Sequence, residues 1–280
     1  MEYKKGHTIK PKVVLSNGEV IFTDGTNDVS PNQVSCEAYG YTFDKTTGTC
    51  IAFRYSPQLN KRFANIENTK QGKNNITEIN TTNAFINGQN NRTKGNNRNL
   101  LISGESHEVG NGFSNATVLG AYGKVKNQAE VVIGGGIGTS DDALGNNQTS
   151  IVQLGGLTSD ASRTDLSVHG DGSNYITVQN NSILGFEVKV IGLCYGGEEG
   201  AAGDYKYIEI KGAVKINNSY NLTWSQSSTT IASVGTIGTV QMAAVSDPYI
   251  TVEVTGSEGV NIEWFASVQI TENKLNSVTF

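Results

Sequence analysis

Charge is scarce in this chain: acidic and basic side chains make up 17% of 280 residues, against about 25% in an ordinary soluble domain. The 21 basic and 26 acidic residues leave a net charge of −5 and no broad basic face, so nucleic acid is not an expected partner. No run approaches the roughly 18 apolar residues that cross a bilayer, and no membrane insertion is expected. Residues 1–12 contain neither a hydrophobic secretion segment nor a small-residue cleavage site, so assembly in the cytoplasm is expected. Cysteine is limited to Cys36, Cys50 and Cys194, too few for a disulfide scaffold or a four-ligand zinc site, so no metal or cofactor is expected. With only 4 Pro and 36% hydrophobic residues, the chain keeps enough apolar side chains to fold.

What is abundant is glycine, 33 residues, with asparagine close behind. In the middle of the chain they punctuate an approximate repeat. Phe85-Ile86-Asn87-Gly88, Leu101-Ile102-Ser103-Gly104, Val118-Leu119-Gly120 and Val132-Ile133-Gly134 each place two apolar residues shortly before a glycine. The glycines are spaced by 16, 16 and 14 residues (88 to 104, 104 to 120, 120 to 134). Asn and Gly tolerate left-handed backbone at corners, so each period can hold short strands joined by tight turns. That is a β-solenoid, with Ile86, Ile102, Leu119 and Ile133 expected in its core. Such thin coils carry few aliphatics, and three chains wrapped about one axis are expected to supply the missing interior.

The flanks read differently. Val13 to Phe22 has two β-rich arms around Asn17-Gly18, the signature of a hairpin, and 31–55 completes a small β module. From about Tyr175 the period becomes two: Val260, Ile262, Trp264, Ala266, Val268 and Ile270 fall on one face, with Val260, Ile262, Trp264 and Val268 expected in a core. The expected fold is all-β, with an amino-terminal module over 1–56, a connector over 57–83, a solenoid shaft over 84–170 and a carboxy-terminal antiparallel β-sandwich over 171–280.

This order resembles bacteriophage fibre or spike proteins. Asn115-Ala116-Thr117-Val118-Leu119-Gly120 and Ala129-Glu130-Val131-Val132-Ile133-Gly134 resemble head repeats of trimeric adhesins. Phe186-Glu187-Val188-Lys189-Val190, Tyr207 to Gly212 and Val260 to Trp264 resemble carboxy-terminal domains of phage tail and head fibres. The resemblance implies a homotrimer on a virion, bound to other virion proteins through its amino-terminal region and to a host surface glycan or protein through its tip. It also implies binding rather than turnover, and no enzyme is expected. A decoration protein without a receptor and, further off, a polysaccharide depolymerase are the alternatives.

Chemistry-bearing residues are sparse. Val131 to Gly138 resembles a dinucleotide loop, but the third glycine falls on Thr139 and no helix follows, so a solenoid corner is the reading. Glu105 and His107 share a strand face, could meet an ion on a threefold axis, and read more simply as an exposed polar edge. Asp141, Asp142, Asp165 and Asp171 show no pairing of the kind a glycosidase needs. Cys36 and Cys50 could form a disulfide once outside a reducing cytosol. The Gly-rich loop carrying Tyr195, Glu198, Glu199, Asp204 and Tyr205 is the candidate recognition loop, because loops on rigid β scaffolds carry recognition and Tyr gives contact area at low entropic cost.

Overall fold

The computed structural model describes residues 9–15, 17–52, 68–135 and 144–274. The chain divides into two compact units, Met1–Ile66 and Glu67–Phe280.

In the first unit, β1 (Lys10–Val14), β2 (Val20–Thr23) and β3 (Asp28–Val29) form a meander. Gly18, at φ 89°, turns the chain between β1 and β2. A six-residue helix α1 (Gln33–Ala38) interrupts the expected all-β module. It starts where the Asn32 side chain accepts the Ser35 N–H at 2.8 Å, a local cap stronger than the β tendency of its neighbours. β4 (Thr42–Asp44) and β5 (Thr49–Ile51) close the unit as a hairpin. Its core is Val20, Phe22, Cys36 and Cys50, and Cys36 and Cys50 are joined by a disulfide.

The second unit opens as the expected solenoid. β6 (Thr69–Lys73), β8 (Thr82–Gln89), β10 (Arg98–Glu105), β12 (Thr117–Ala121) and β14 (Val131–Gly135) stack in parallel on one side. On the other side stack the short strands β7 (Ile76–Thr77), β9 (Arg92–Thr93), β11 (Glu108–Val109) and β13 (Lys124–Val125). The first coil therefore begins at Thr69, inside the segment expected to be a connector. Corners fall on left-handed residues in columns: Asn74, Asn90, Ser106 and Tyr122 in one, Asn83, Asn99, Asn115 and Ala129 in another. Asn83 Nδ2 donates to Asn99 Oδ1 at 2.7 Å and Asn99 Nδ2 to Asn115 Oδ1 at 2.8 Å, so the asparagines of the second column form an amide ladder.

The core lies between the two stacks. Ile86, Ile102, Val118 and Val132 are in register and buried, facing Val109 and Val125 from the second sheet. Two sequence expectations are corrected here. Leu119 and Ile133 are outside the core, 38% and 51% exposed. In the later coils the apolar pair sits one residue nearer the glycine, and on a period-two strand that puts its second member on the opposite face. Nor do the coils lack an interior, because the second sheet supplies the facing side chains from the same chain. A buried aliphatic contributes about 1.5–3 kcal/mol against an ordering cost of about 1–2 kcal/mol per residue, so coils are stable only as a stack.

After β14 the sheet changes sense without ending. β15 (Asn147–Thr158) pairs antiparallel with β14. The chain then runs through β16 (Arg163–Asp165), β17 (Ile176–Thr177), β18 (Ser182–Gly196), β19 (Tyr205–Ile216), β20 (Leu222–Val234), β21 (Thr239–Ser246) and β22 (Tyr249–Thr255) to β23 (Asn261–Lys274). One ten-stranded sheet results, in the order β20-β19-β18-β23-β15-β14-β12-β10-β8-β6. The carboxy-terminal strands are antiparallel, as their alternation requires, but they extend the solenoid's own sheet and do not stand apart as a separate sandwich. The smaller sheet β16-β22-β17, with β21 on β22, shares their core. Val260, Ile262, Trp264 and Val268 are buried in it, and Trp264 Nε1 donates to Thr158 Oγ1 at 2.9 Å.

Candidate functional site

Two surfaces of the second unit stand out. The first is the outer face of the ten-stranded sheet. Phe85 and Leu101 are adjacent in register on the coils and exposed, as are Leu119 and Ile133. On the antiparallel half, Leu157, Glu263, Leu193, Tyr205 and Val234 lie opposite one another in one row, with Phe265 and Ile191 in the next. All of these but Glu263 are large hydrophobics or tyrosines left exposed. Tyr195 and Tyr205 thus belong to strand ends bordering this face. The loop between them is pinned: Cys194 N–H donates to Asp204 O at 2.8 Å, Gly203 N–H to Cys194 O at 2.9 Å, and Glu199 N–H to Gly259 O at 3.0 Å. Glu198 and Glu199 remain exposed.

The second is a cleft of about 460 Å³ where the last coil meets the carboxy-terminal strands. Lys124, Lys126, Asn127 and Gln128 line its solenoid side, and Tyr175, Gln179, Tyr220, Tyr249 and Lys274 come from the carboxy-terminal strands and their connections. Asn127 Oδ1 accepts the Thr177 N–H at 2.7 Å, locking the two sides together. Beneath the cleft, Lys126 Nζ donates to Glu272 Oε2, a buried ion pair, and Gln179 Nε2 donates to Glu272 Oε1 at 3.1 Å. Glu130 is fully buried beside them, where Ala84, Leu100 and Ala116 sit in earlier coils. Burial raises its pKa; the Lys126 charge and the N–H groups of Lys126 and Asn127 oppose that rise. Sequence reasoning missed this cleft because its residues come from six separated segments, none of which forms a motif.

The remaining candidates are ordinary structure. His107, read as part of an exposed edge, is 1% exposed; its Nδ1 accepts the Gly123 N–H at 3.0 Å and its Nε2 meets Ser103 O at 3.3 Å. Burial lowers its pKa. Asp165 lies opposite Glu253, and Arg163 bridges both. Asp171 caps a turn: the Ser173 N–H, then the Asn174 side chain and N–H, hold its carboxyl at about 2. The dinucleotide-like stretch begins as strand β14, Val131–Gly135; its residues 136–138, with Asp141 and Asp142, lie outside the described residues. Among the described residues, no three His, Cys, Asp or Glu side chains cluster as a metal site, and no helix is long and apolar enough to cross a membrane.

No family model and no curated protein matches the chain. Solved structures similar to it are the tailspike protein of Acinetobacter baumannii phage AM24 (9% identity, TM-score 0.24) and that of Acinetobacter phage vB_ApiP_P1 (10%, 0.21). A third is Pantoea stewartii WceF, a glycan biofilm modifying enzyme with a bacteriophage tailspike-like parallel beta-helix fold (11%, 0.22). The matches cover 75%, 74% and 73% of this chain and 55%, 55% and 38% of theirs, so the chain spans about half the length of the two tailspikes. One expectation is corrected at this point. The sequence reading expected no enzyme, and a glycan-modifying enzyme stands among these structures, so that expectation does not stand.

Proposed function

We propose that the chain is a virion spike, a homotrimer whose copies associate through the outer face of the ten-stranded sheet and whose tip attaches the particle to a host surface glycan. The observation that carries this reading is that face. Exposed apolar side chains run along both its parallel and its antiparallel halves, from Phe85 and Leu101 to Ile191 and Phe265. The two apolar groups are separated by a charged band that includes Glu187, Lys189 and Lys211, and exposed apolar side chains gathered on one sheet face mark an interaction surface. Turning it inward in three copies leaves the opposite side of each subunit, with the cleft, facing outward. Three weak sites then bind by avidity. The amino-terminal unit, cross-linked by Cys36–Cys50, is the part assigned to the rest of the particle.

The test is adsorption. Labelled full-length protein should bind bacterial host cells saturably, lose binding when surface polysaccharide is stripped, and compete with infection. No adsorption and no competition would overturn attachment in favour of a decoration role. The same incubation read for new reducing ends reports whether bound glycan is also cleaved.

A further inference from the structure

The cleft at the junction of solenoid and tip is lined by three lysines and, among the described residues, by no carboxylate. Two of the three are neutralised from behind. Lys126 is paired with Glu272, and Lys124 Nζ lies 3.2 Å from Glu108, which it shares with Lys94. Lys274 differs. Among the described residues no carboxylate lies within ion-pair distance of it, and its side-chain hydrogen bond is a long one, 3.5 Å, to Gln179 Oε1. Burial, then the Lys124 charge, lowers its pKa, with Glu272 opposing. A half-buried ammonium beside two others, with no counter-ion of its own among the described residues, is the arrangement an incoming anion relieves.

The rest of the cleft limits which anion fits. Tyr175 and Tyr220 come from two connections and Tyr249 from the start of β22, and all three line it. Aromatic rings of this kind pack against the C–H face of a sugar ring. Asn180 supplies an amide able to donate to and accept from hydroxyls, while the Gln128 amide is held by the Ser114 N–H and the Gly112 carbonyl. A bare inorganic anion would use the lysines and leave the tyrosines idle.

We propose that this cleft binds an acidic glycan, with the carboxylate of a uronic acid unit on Lys274 and the sugar ring against the tyrosines. The proposal rests on the reading of the chain as a glycan-attachment spike and names the class of sugar and the place where it binds.

The experiment is calorimetric titration of the full-length protein with trigalacturonate, maltotriose and inorganic phosphate. Trigalacturonate should bind, maltotriose should bind at least tenfold more weakly, and phosphate should not displace the trisaccharide at equal concentration. Lys274→Gln should weaken trigalacturonate binding about tenfold, the loss of one charge-assisted hydrogen bond, and Tyr249→Ala should weaken it as well. Both positions are partly exposed, and an unchanged melting curve verifies the fold of each variant. Equal binding of the neutral and acidic trisaccharides, full affinity in Lys274→Gln, displacement by phosphate, or no trigalacturonate binding at all would each overturn the proposal. The adsorption assay separates the two readings: a protein that adsorbs to cells regardless of Lys274 remains an attachment spike with its glycan site elsewhere, whereas loss of adsorption in every form removes the attachment reading itself.

Discussion

His107 occupies the inner-corner position that asparagine holds one and two coils earlier. Asn75 Oδ1 accepts the Asn91 N–H at 3.1 Å, and Asn91 Oδ1 accepts the His107 N–H at 3.0 Å; His107 Nδ1 then takes the Gly123 N–H in the same role. Burial lowers its pKa, and the nitrogen that accepts the Gly123 N–H must be unprotonated to do so, so the neutral imidazole is the form that fits the coil. Because the folded pKa lies below the unfolded one of about 6.5, the stabilisation is complete above that pH and is lost as pH falls through the folded value. The melting temperature should therefore drop between pH 7.5 and pH 5 by more in the native protein than in His107→Asn, whose amide does not titrate. An equal drop in both would refute the role. Gly104 is a second residue fixed by its surroundings. At φ 132°, a Cβ there would meet the Gly120 carbonyl oxygen in the next coil and the His107 ring. Gly104→Ala should cost about 2–5 kcal/mol in urea unfolding, and a cost below about 1 kcal/mol would show that the coils are less tightly stacked than described.

At the scale of elements, the same glycine column explains what the sequence made legible. The spacing of 88, 104 and 120 is visible because each glycine must lie over the last with no side chain between, and Gly72 extends the column by one coil. The corner asparagines are equally visible, since left-handed backbone admits few residues and stacked amides bond one another. What the spacing could not give was the face of each side chain. Ile86 and Ile102 lie two residues before the glycine and point inward, whereas Leu119 and Ile133 lie one before it and point outward. The second sheet was also hidden, because two-residue strands such as Glu108–Val109 carry no period. The cleft was illegible for a further reason: Lys124, Tyr175 and Lys274 converge only once β23 has crossed back to lie beside β15. In the amino-terminal unit the Cys36–Cys50 bond joins α1 to β5. Reducing it should cost about 3 kcal/mol, the loop-closure entropy of a bridge this short. A reducing agent should accordingly lower the melting transition of that unit, and an unchanged transition would mean that the link contributes nothing to stability.

The whole molecule poses one question of association. A solenoid that encloses its own core has no need of partners for its interior, which removes the simplest argument for a trimer and replaces it with another. The exposed row through Leu157, Leu193, Tyr205 and Val234, with Phe265 and Ile191 beside it, lies on a sheet face that neither the solenoid nor the smaller sheet covers. Phe265→Lys and Ile191→Lys place a charge beside that row without touching the buried face, where Trp264 and Val190 sit. In a subunit that works alone these variants would be neutral or mildly favourable; in an assembly built on that face they would dissociate it. The most direct measurement is sedimentation equilibrium of the native chain and of Phe265→Lys at micromolar concentration. Three times the chain mass for the native protein, falling to a single chain in the variant, is the predicted result. A native protein that sediments as one chain, or a trimer that survives the lysine, would contradict the account.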